Sequence, residues 1–504
     1  MSNWLFEAIR SATPGDAAHF VEAADGRALS YGEMFARSGQ LARALVSIGV
    51  KPGDRVAAQV EKSVEALLLY LATVRAGGVF LPLNNGYTAS EIDYFIGDAE
   101  PALFVVDPGA QAMLAPIADT HGARIETLDR NGVGSLTALA AGQPDAAFDD
   151  LARGPDDLAA ILYTSGTTGR SKGAMLTHDN LLSNALTLKD YWRFTSEDRL
   201  LHALPIFHTH GLFVATNTVL VAGASMIFLP KFDADQAMSL MTRATAMMGV
   251  PTFYVRLVQH DGLTREATRH MRLFISGSAP LLAETHRAFE ALTGHRVLER
   301  YGMTETNMIT SNPYEGDRVA GSVGFPLPGV SLRVADPETG TPVPAGEIGM
   351  IEVKGPNVFK GYWRMPEKTK AEFRDDGFFV TGDLGKVDDR GYVYIVGRGK
   401  DLVISGGYNV YPKEIETEID ALPGVLETAV IGVAHPDFGE GVTAVVVREK
   451  GASIDEAAVL SALSGRLAKF KQPKRVLFLD DLPRNAMGKV QKNLLRERYA
   501  DLYA

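Results

Sequence analysis

Residues 158–180, LAAILYTSGTTGRSKGAMLTHDN, decide how the fold is read. The apolar run that opens the segment has strand length, GAMLT is a second strand, and a helix is predicted to begin near Thr177 to Asp179. Between the strands lies Tyr163-Thr164-Ser165-Gly166-Thr167-Thr168-Gly169-Arg170-Ser171-Lys172-Gly173. Its hydroxyls, glycine amides and lysine are the groups a polyphosphate needs, and its glycines let the backbone approach a ligand closely. No Gly-Lys pair here is followed by Ser or Thr at the spacing of a Walker A loop, which disfavours a simple P-loop ATPase.

Outward from this segment, apolar β-branched runs alternate with helical stretches, as in LLLYLATVRAGG followed by VFLPLN. That is the pattern of α/β layers. The rhythm changes near Gly397, where the short strand GYVYIV ends in Gly397-Arg398-Gly399-Lys400-Asp401. A smaller α+β unit follows: Pro412 suits the first turn of the helix PKEIETEIDAL, and ETAVIGVA and GVTAVVVRE read as neighbouring strands. The expectation is a large multi-layer α/β domain over 1–399 and a small mobile α+β domain over 400–504, hinged at Lys400.

Composition bounds the partners. A chain of 504 residues with 46% hydrophobic and 22% charged residues exceeds what one core organises, so two or more domains are expected. Fifty Lys and Arg against 61 Asp and Glu give a net charge of -11, which argues against nucleic acid or an acidic membrane surface as partner. The absence of cysteine excludes disulfides, thiolate metal sites and a cysteine nucleophile, so any thiol in the chemistry arrives with a substrate. The opening MSNWLFEAIRSATPGD does not read as a signal peptide, and a cytoplasmic location is expected. The uncharged stretch 211–230 is interrupted by Asn217, Thr218 and Gly223; it reads as a buried helix, a glycine stop and a buried strand, SMIFL, not as a membrane span.

The eleven-residue loop resembles the phosphate loop of the superfamily of acyl-CoA synthetases, peptide-synthetase adenylation domains and firefly-type luciferases. Further family landmarks follow in order: Glu299-Arg300-Tyr301-Gly302-Met303-Thr304-Glu305, Thr381-Gly382-Asp383, the Gly397 to Asp401 run, Ser405-Gly406-Gly407-Tyr408-Asn409, and Pro483-Arg484-Asn485-Ala486-Met487-Gly488-Lys489. The resemblance spans nearly the whole chain. It implies the acyl-adenylate-forming fold and a two-step reaction, in which a carboxylate attacks the ATP α-phosphate and coenzyme A then takes the acyl group.

By that resemblance, Lys489 is the adenylation lysine, Glu305 with Thr304 beside it serves Mg2+, and Asp383 and Arg398 meet the ribose. Thr164 to Gly169, Lys172, Glu299 and Tyr301 to Met303 belong to the ATP site, with Ser278 and Ala279 in the adenine wall. Ser405, Gly406, Gly407 and Tyr408 are the coenzyme A residues. The charge of the tract 469–475, rather than the resemblance, makes Lys471 a further candidate for the coenzyme's phosphates, against the commoner reading of such a run as a solvated face. Taken singly, Asp383 is a turn cap and Arg398 a surface ion-pair partner.

The acyl pocket implied by the family holds His208, Thr209, Arg256, Arg300 and Met308. Burying an unpaired guanidinium costs several kcal/mol, on the order of what a carboxylate partner restores, so two arginines suit the second carboxylate of a diacid. Arg300 pairing with Glu299 as structural cement is the other reading. The set closely resembles malonyl-CoA synthetases, with methylmalonate as a further acid. A short-chain monocarboxylate CoA ligase, a carrier-loading adenylation module and a luciferase-like oxygenase stay open beside it. The same resemblance suggests acylation of Lys489 by a lysine acetyltransferase, reversed by a deacetylase.

Overall fold

The computed structural model describes residues 2–144, 146–164, 171–406, 408–464, 466–485 and 488–503. Among them the strands gather into four sheets. A nine-stranded sheet has a parallel centre built from Leu298–Met303, Leu273–Ser276, Ala246–Gly249, Arg199–His202, Ser225–Phe228 and His19–Ala23, in that spatial order. A six-stranded sheet runs Arg124–Thr127, Leu103–Val106, Arg55–Gln59, Val79–Pro82, Leu158–Thr164 and Lys172–Thr177, parallel except for the last pair. Parallel sheets need cover on both faces. The helix Val64–Arg75 is buried at every position; its sequence is apolar on most faces, and its charged residues Glu65 and Arg75 are paired to Arg37 and Asp150.

The segment that opened the sequence reading folds as expected. Leu158–Thr164 and Lys172–Thr177 pair antiparallel, and the helix His178–Tyr191 starts at an N-cap Thr177 whose hydroxyl accepts from the Asn180 amide. Residues 165–170, which carry most of the expected phosphate loop, lie outside the described residues. The stretch after Thr209 opens as a π-helical segment, His210–Thr216, continues as the α-helix Asn217–Ala222, stops at Gly223 with φ +62°, and enters Ser225–Phe228. No described helix is long and apolar enough to cross a membrane.

A four-stranded antiparallel sheet, Ser331–Ala335, Gly349–Lys354, Phe379–Val387 and Val393–Arg398, follows. It ends in a 3-10 turn over Gly399–Asp401. Beyond the turn the chain builds a separate mixed sheet around the antiparallel pair Val425–His435 and Gly439–Arg448, with Arg475–Leu479 parallel to the latter. The helix Pro412–Asp420 begins at Pro412 and packs Ile415 and Ile419 into that sheet's own core.

Candidate active site

The ladder between Phe379–Val387 and Val393–Arg398 places Asp383 opposite Arg398. The Arg398 Nε lies 2.8 Å from Asp383 Oδ1, and the Tyr301 hydroxyl donates to Asp383 Oδ2 at 2.5 Å. Burial works against the Arg398 charge, yet Asp383 and the Tyr301 phenol hold its pKa above the usual value. The result is an almost fully buried carboxylate with a rigid cation beside it.

Tyr301 lies on the strand Leu298–Met303, which runs on through Gly302 and Met303, and the turn that holds Glu305 starts at Thr304. Glu305 is 5% exposed, and burial raises its pKa. The Tyr362 hydroxyl lies 3.0 Å from its Oε1. Lys172 stands on the same side, with Nζ 3.1 Å from Glu372 Oε1 and 4.0 Å from the centre of the Tyr362 ring. Thr164 donates across the mouth of the loop to the Lys172 carbonyl at 3.4 Å. Among the described residues no cluster of three or more His, Asp or Glu side chains could hold a metal by itself. A lone buried carboxylate does fit Mg2+, which takes one or two carboxylates together with nucleotide oxygens.

Arg300 precedes Tyr301 on the strand, so its side chain leaves by the opposite face. It is 4% exposed, and its Nε and Nη2 have no hydrogen-bond partner. Burial lowers its pKa to about 9. Glu299 is not its partner: that carboxylate turns to His286 Nδ1 at 3.3 Å and to the Gly321 amide at 3.1 Å. Gly277 makes room for the guanidinium, since a Cβ there would lie 2.3 Å from Arg300 Cζ.

The other imidazoles around this cation are neutral. Burial, then Arg300, then Lys489 bring His208 down to about 4, and burial with Arg300 takes His210 well below its usual value. His210 Nδ1 lies 3.1 Å from the hydroxyl of Ser278, a residue at φ +72°, while its Nε2 has no partner. Ala279 follows, half-buried. Thr209 donates to Asn307 Oδ1 at 3.0 Å, and Met308, 1% exposed, is pinned through its backbone by Asn184.

Lys489 reaches this region from the small C-terminal unit. Backbone ties the described residues of the segment that carries it: the Asn485 amide donates to the Lys489 carbonyl at 3.0 Å, and Gly488 takes φ +73°. Arg484 clips it, with Nη1 donating to the Gly488 carbonyl at 2.6 Å and Nη2 paired to Glu427 on Val425–His435. Lys489 is exposed to the open cleft. Protein crowds the cleft around the ammonium, and this partial loss of solvation, then the nearby Arg398 charge, lowers its pKa to about 8.

Two expectations change. Arg256 is exposed, in the last turn of the helix Pro251–Val258, and lines a cavity of about 430 Å³ with Thr252, Phe207, Arg484 and Gly488. It is not a buried guanidinium, and Arg300 is not among the described residues lining that cavity. Lys471 is not a free cation: its Nζ lies 2.6 and 2.8 Å from the two oxygens of Glu414. Near it, Tyr408 is exposed and stacks on Phe470 at 4.7 Å, Ser405 is buried, and Gly406 holds φ +60°. Gly407 lies outside the described residues.

The two-unit fold and the cleft that Lys489 enters define the acyl-adenylate-forming class of enzyme. The chain belongs to the AMP-binding enzyme family, which matches residues 6–363, with the family's C-terminal domain matching 414–489. It is 69% identical over the full length of both chains to ATP-bound MatB from Rhodopseudomonas palustris, with a TM-score of 0.98; against the apo form of that protein the TM-score is 0.86. The two units are thus arranged as in the ATP-bound relative. A malonate–CoA ligase of Arabidopsis thaliana is 36% identical over 94% of this chain and 85% of its own length. A feruloyl-CoA synthase of an Amycolatopsis species is 38% identical over 94% of both.

Proposed function

We propose that this protein is an AMP-forming acid–thiol ligase that converts malonate, ATP and coenzyme A into malonyl-CoA, AMP and diphosphate through a bound malonyl-adenylate, and that methylmalonate is a second acid. The observation that carries the choice of acid is Arg300: a guanidinium buried without an acidic partner, with two unsatisfied nitrogens. A buried cation of this kind is costly until an anion reaches it, and the far carboxylate of a diacid is such an anion. The likeness to a malonate–CoA ligase supports the same reading.

In the first step, two anions must approach each other, and fixed cations lower that barrier. Lys489 neutralises charge where the carboxylate oxygen meets the α-phosphorus. Asp383 accepts from the ribose hydroxyls, Arg398 steadies it, and Ser278 with Ala279 walls the base. Lys172 serves the outer phosphates, the role that the family resemblance also gives the loop 164–169. Mg2+ held by Glu305 would neutralise charge on the phosphate oxygens. Thr209 and Met308 bound the acid, and neutral His208 lines its reacting end.

In the second step, the small unit, residues 400–504, swings about Lys400, withdraws Lys489 and presents Ser405 to Tyr408 to coenzyme A. Arg256, at the cavity mouth, meets the incoming acid or its product at the rim, not in the interior. The location we propose is cytoplasmic. Acylation of Lys489 by an acetyltransferase, undone by a deacetylase, would remove the charge that adenylation needs.

AMP release dependent on coenzyme A, measured across malonate, methylmalonate, succinate, acetate, butyrate and benzoate, tests this function. Malonate is expected to lead. Butyrate or benzoate outrunning malonate would overturn the diacid assignment.

A further inference from the structure

Behind the phosphate side of the cleft, one phenol touches two carboxylates. The Tyr362 hydroxyl lies 2.6 Å from Glu372 Oε2 and 3.0 Å from Glu305 Oε1. Its ring face carries the Lys172 ammonium at 4.0 Å, and that ammonium also reaches Glu372. Lys368 adds a second cation to Glu372 at 2.7 Å, so that carboxylate does not by itself cancel the Lys172 charge. An ammonium has three N–H donors. One goes to Glu372 and the ring covers one side, which leaves Lys172 able to donate forward without giving up its socket.

The phenol is itself held by backbone. The Tyr362 amide donates to Thr369 Oγ1 at 2.9 Å, and the flanking Trp363 amide donates to the Gly173 carbonyl at 2.7 Å, on the strand that carries Lys172. On the other side the Phe359 amide donates to the Glu305 carbonyl at 2.8 Å. The segment 359–363 therefore straps the lysine strand to the Glu305 turn. A phenol has one proton to offer two carboxylates, so its hydrogen bond to Glu305 is a shared one and leaves that carboxylate able to take a divalent cation.

We infer that Tyr362, anchored by Glu372, is a positioning residue that fixes the spacing between Lys172 and Glu305, so that the lysine and the Mg2+-side carboxylate meet one triphosphate together. This rests on the ATP site proposed above and not on the choice of acid.

The test is calorimetric titration of the full-length protein with a non-hydrolysable α,β-methylene ATP, with and without Mg2+, which needs no acid. For Tyr362→Phe, which keeps the ring, the Mg2+-dependent gain in affinity should fall about tenfold, the worth of a hydrogen bond to a charged group. For Glu372→Gln, affinity should fall with and without Mg2+ alike, because the Lys172 socket is lost. ATP–diphosphate exchange, run with whichever acid the wild type prefers, should drop in both, while thioesterification of a supplied acyl-adenylate persists. A Tyr362→Phe protein that keeps the full Mg2+ gain, or that loses both half-reactions equally, overturns the inference. Should that variant not fold, Glu372→Gln decides instead: unchanged affinity for the analogue, or equal loss of both half-reactions, overturns the inference. Failure of malonate in the wild type with these effects intact would indict the acid assignment alone.

Discussion

Replacing Arg300 by Met keeps the length and volume of the side chain and removes its charge, so the outcome reads the charge alone. Bringing a guanidinium from its ordinary, strongly basic range down to about 9 corresponds to about 5 kcal/mol of solvation that the empty site does not return. A malonate carboxylate docked on Nε and Nη2, the two nitrogens without partners, recovers part of it. Losing one member of a buried, hydrogen-bonded charge pair costs about 2 to 5 kcal/mol. The expected fall in kcat/KM for malonate is therefore at least about 100-fold. Butyrate, whose methyl group would meet a bare cation in the wild type, should lose nothing and gain up to about tenfold. The assay is AMP release with each acid at saturating ATP and coenzyme A, alongside thermal unfolding. Removing an unpaired buried charge should leave the melting temperature unchanged or higher. Equal losses for malonate and butyrate would refute the pocket, and so would a large drop in melting temperature, because it would mean Arg300 holds the fold.

Lys489→Ala should abolish adenylate formation, by at least about 1,000-fold, and spare thioesterification of supplied malonyl-adenylate, as half-reaction assays will show. Lys489 titrates near 8 in the free protein and must be protonated to act, so kcat/KM for ATP should be flat below that pH and fall about tenfold per unit above it. In the ATP complex the phosphates favour the ammonium, so the alkaline limb of kcat should lie higher. Gly277→Ala puts a methyl 2.3 Å from Arg300 Cζ and should cut malonate turnover more than butyrate turnover, with the KM for ATP as the internal reference.

Much of the fold was legible. The cap residue Thr177 and the strand–loop–strand before it follow from local chemistry, and so does the start of the helix at Pro412. The character of Arg300 was half-legible: its charge is in the sequence, but its isolation depends on strand alternation that sends Glu299 towards His286. Only the family resemblance puts Arg256 in the acyl pocket as a buried cation. It sits instead on the cavity side of the last helical turn, an orientation set by packing at a distance. Lys471 looked like a cation in a basic tract, and Glu414, the residue that pairs with it, is remote in sequence. Tyr362 and Gly277 gave no signal, since a phenol between two distant carboxylates and a glycine beneath a guanidinium acquire meaning only in three dimensions.

The Arg484 clip runs from the Gly488 carbonyl to Glu427, both within the small unit. Among the described residues, the hydrogen bonds from Asn485 to Lys489 and from Arg484 to Gly488 stay within the small unit, so the Lys489 arm behaves as a key already cut. A small unit grafted from a relative should bring a functional arm with it, while the choice of acid stays with the host.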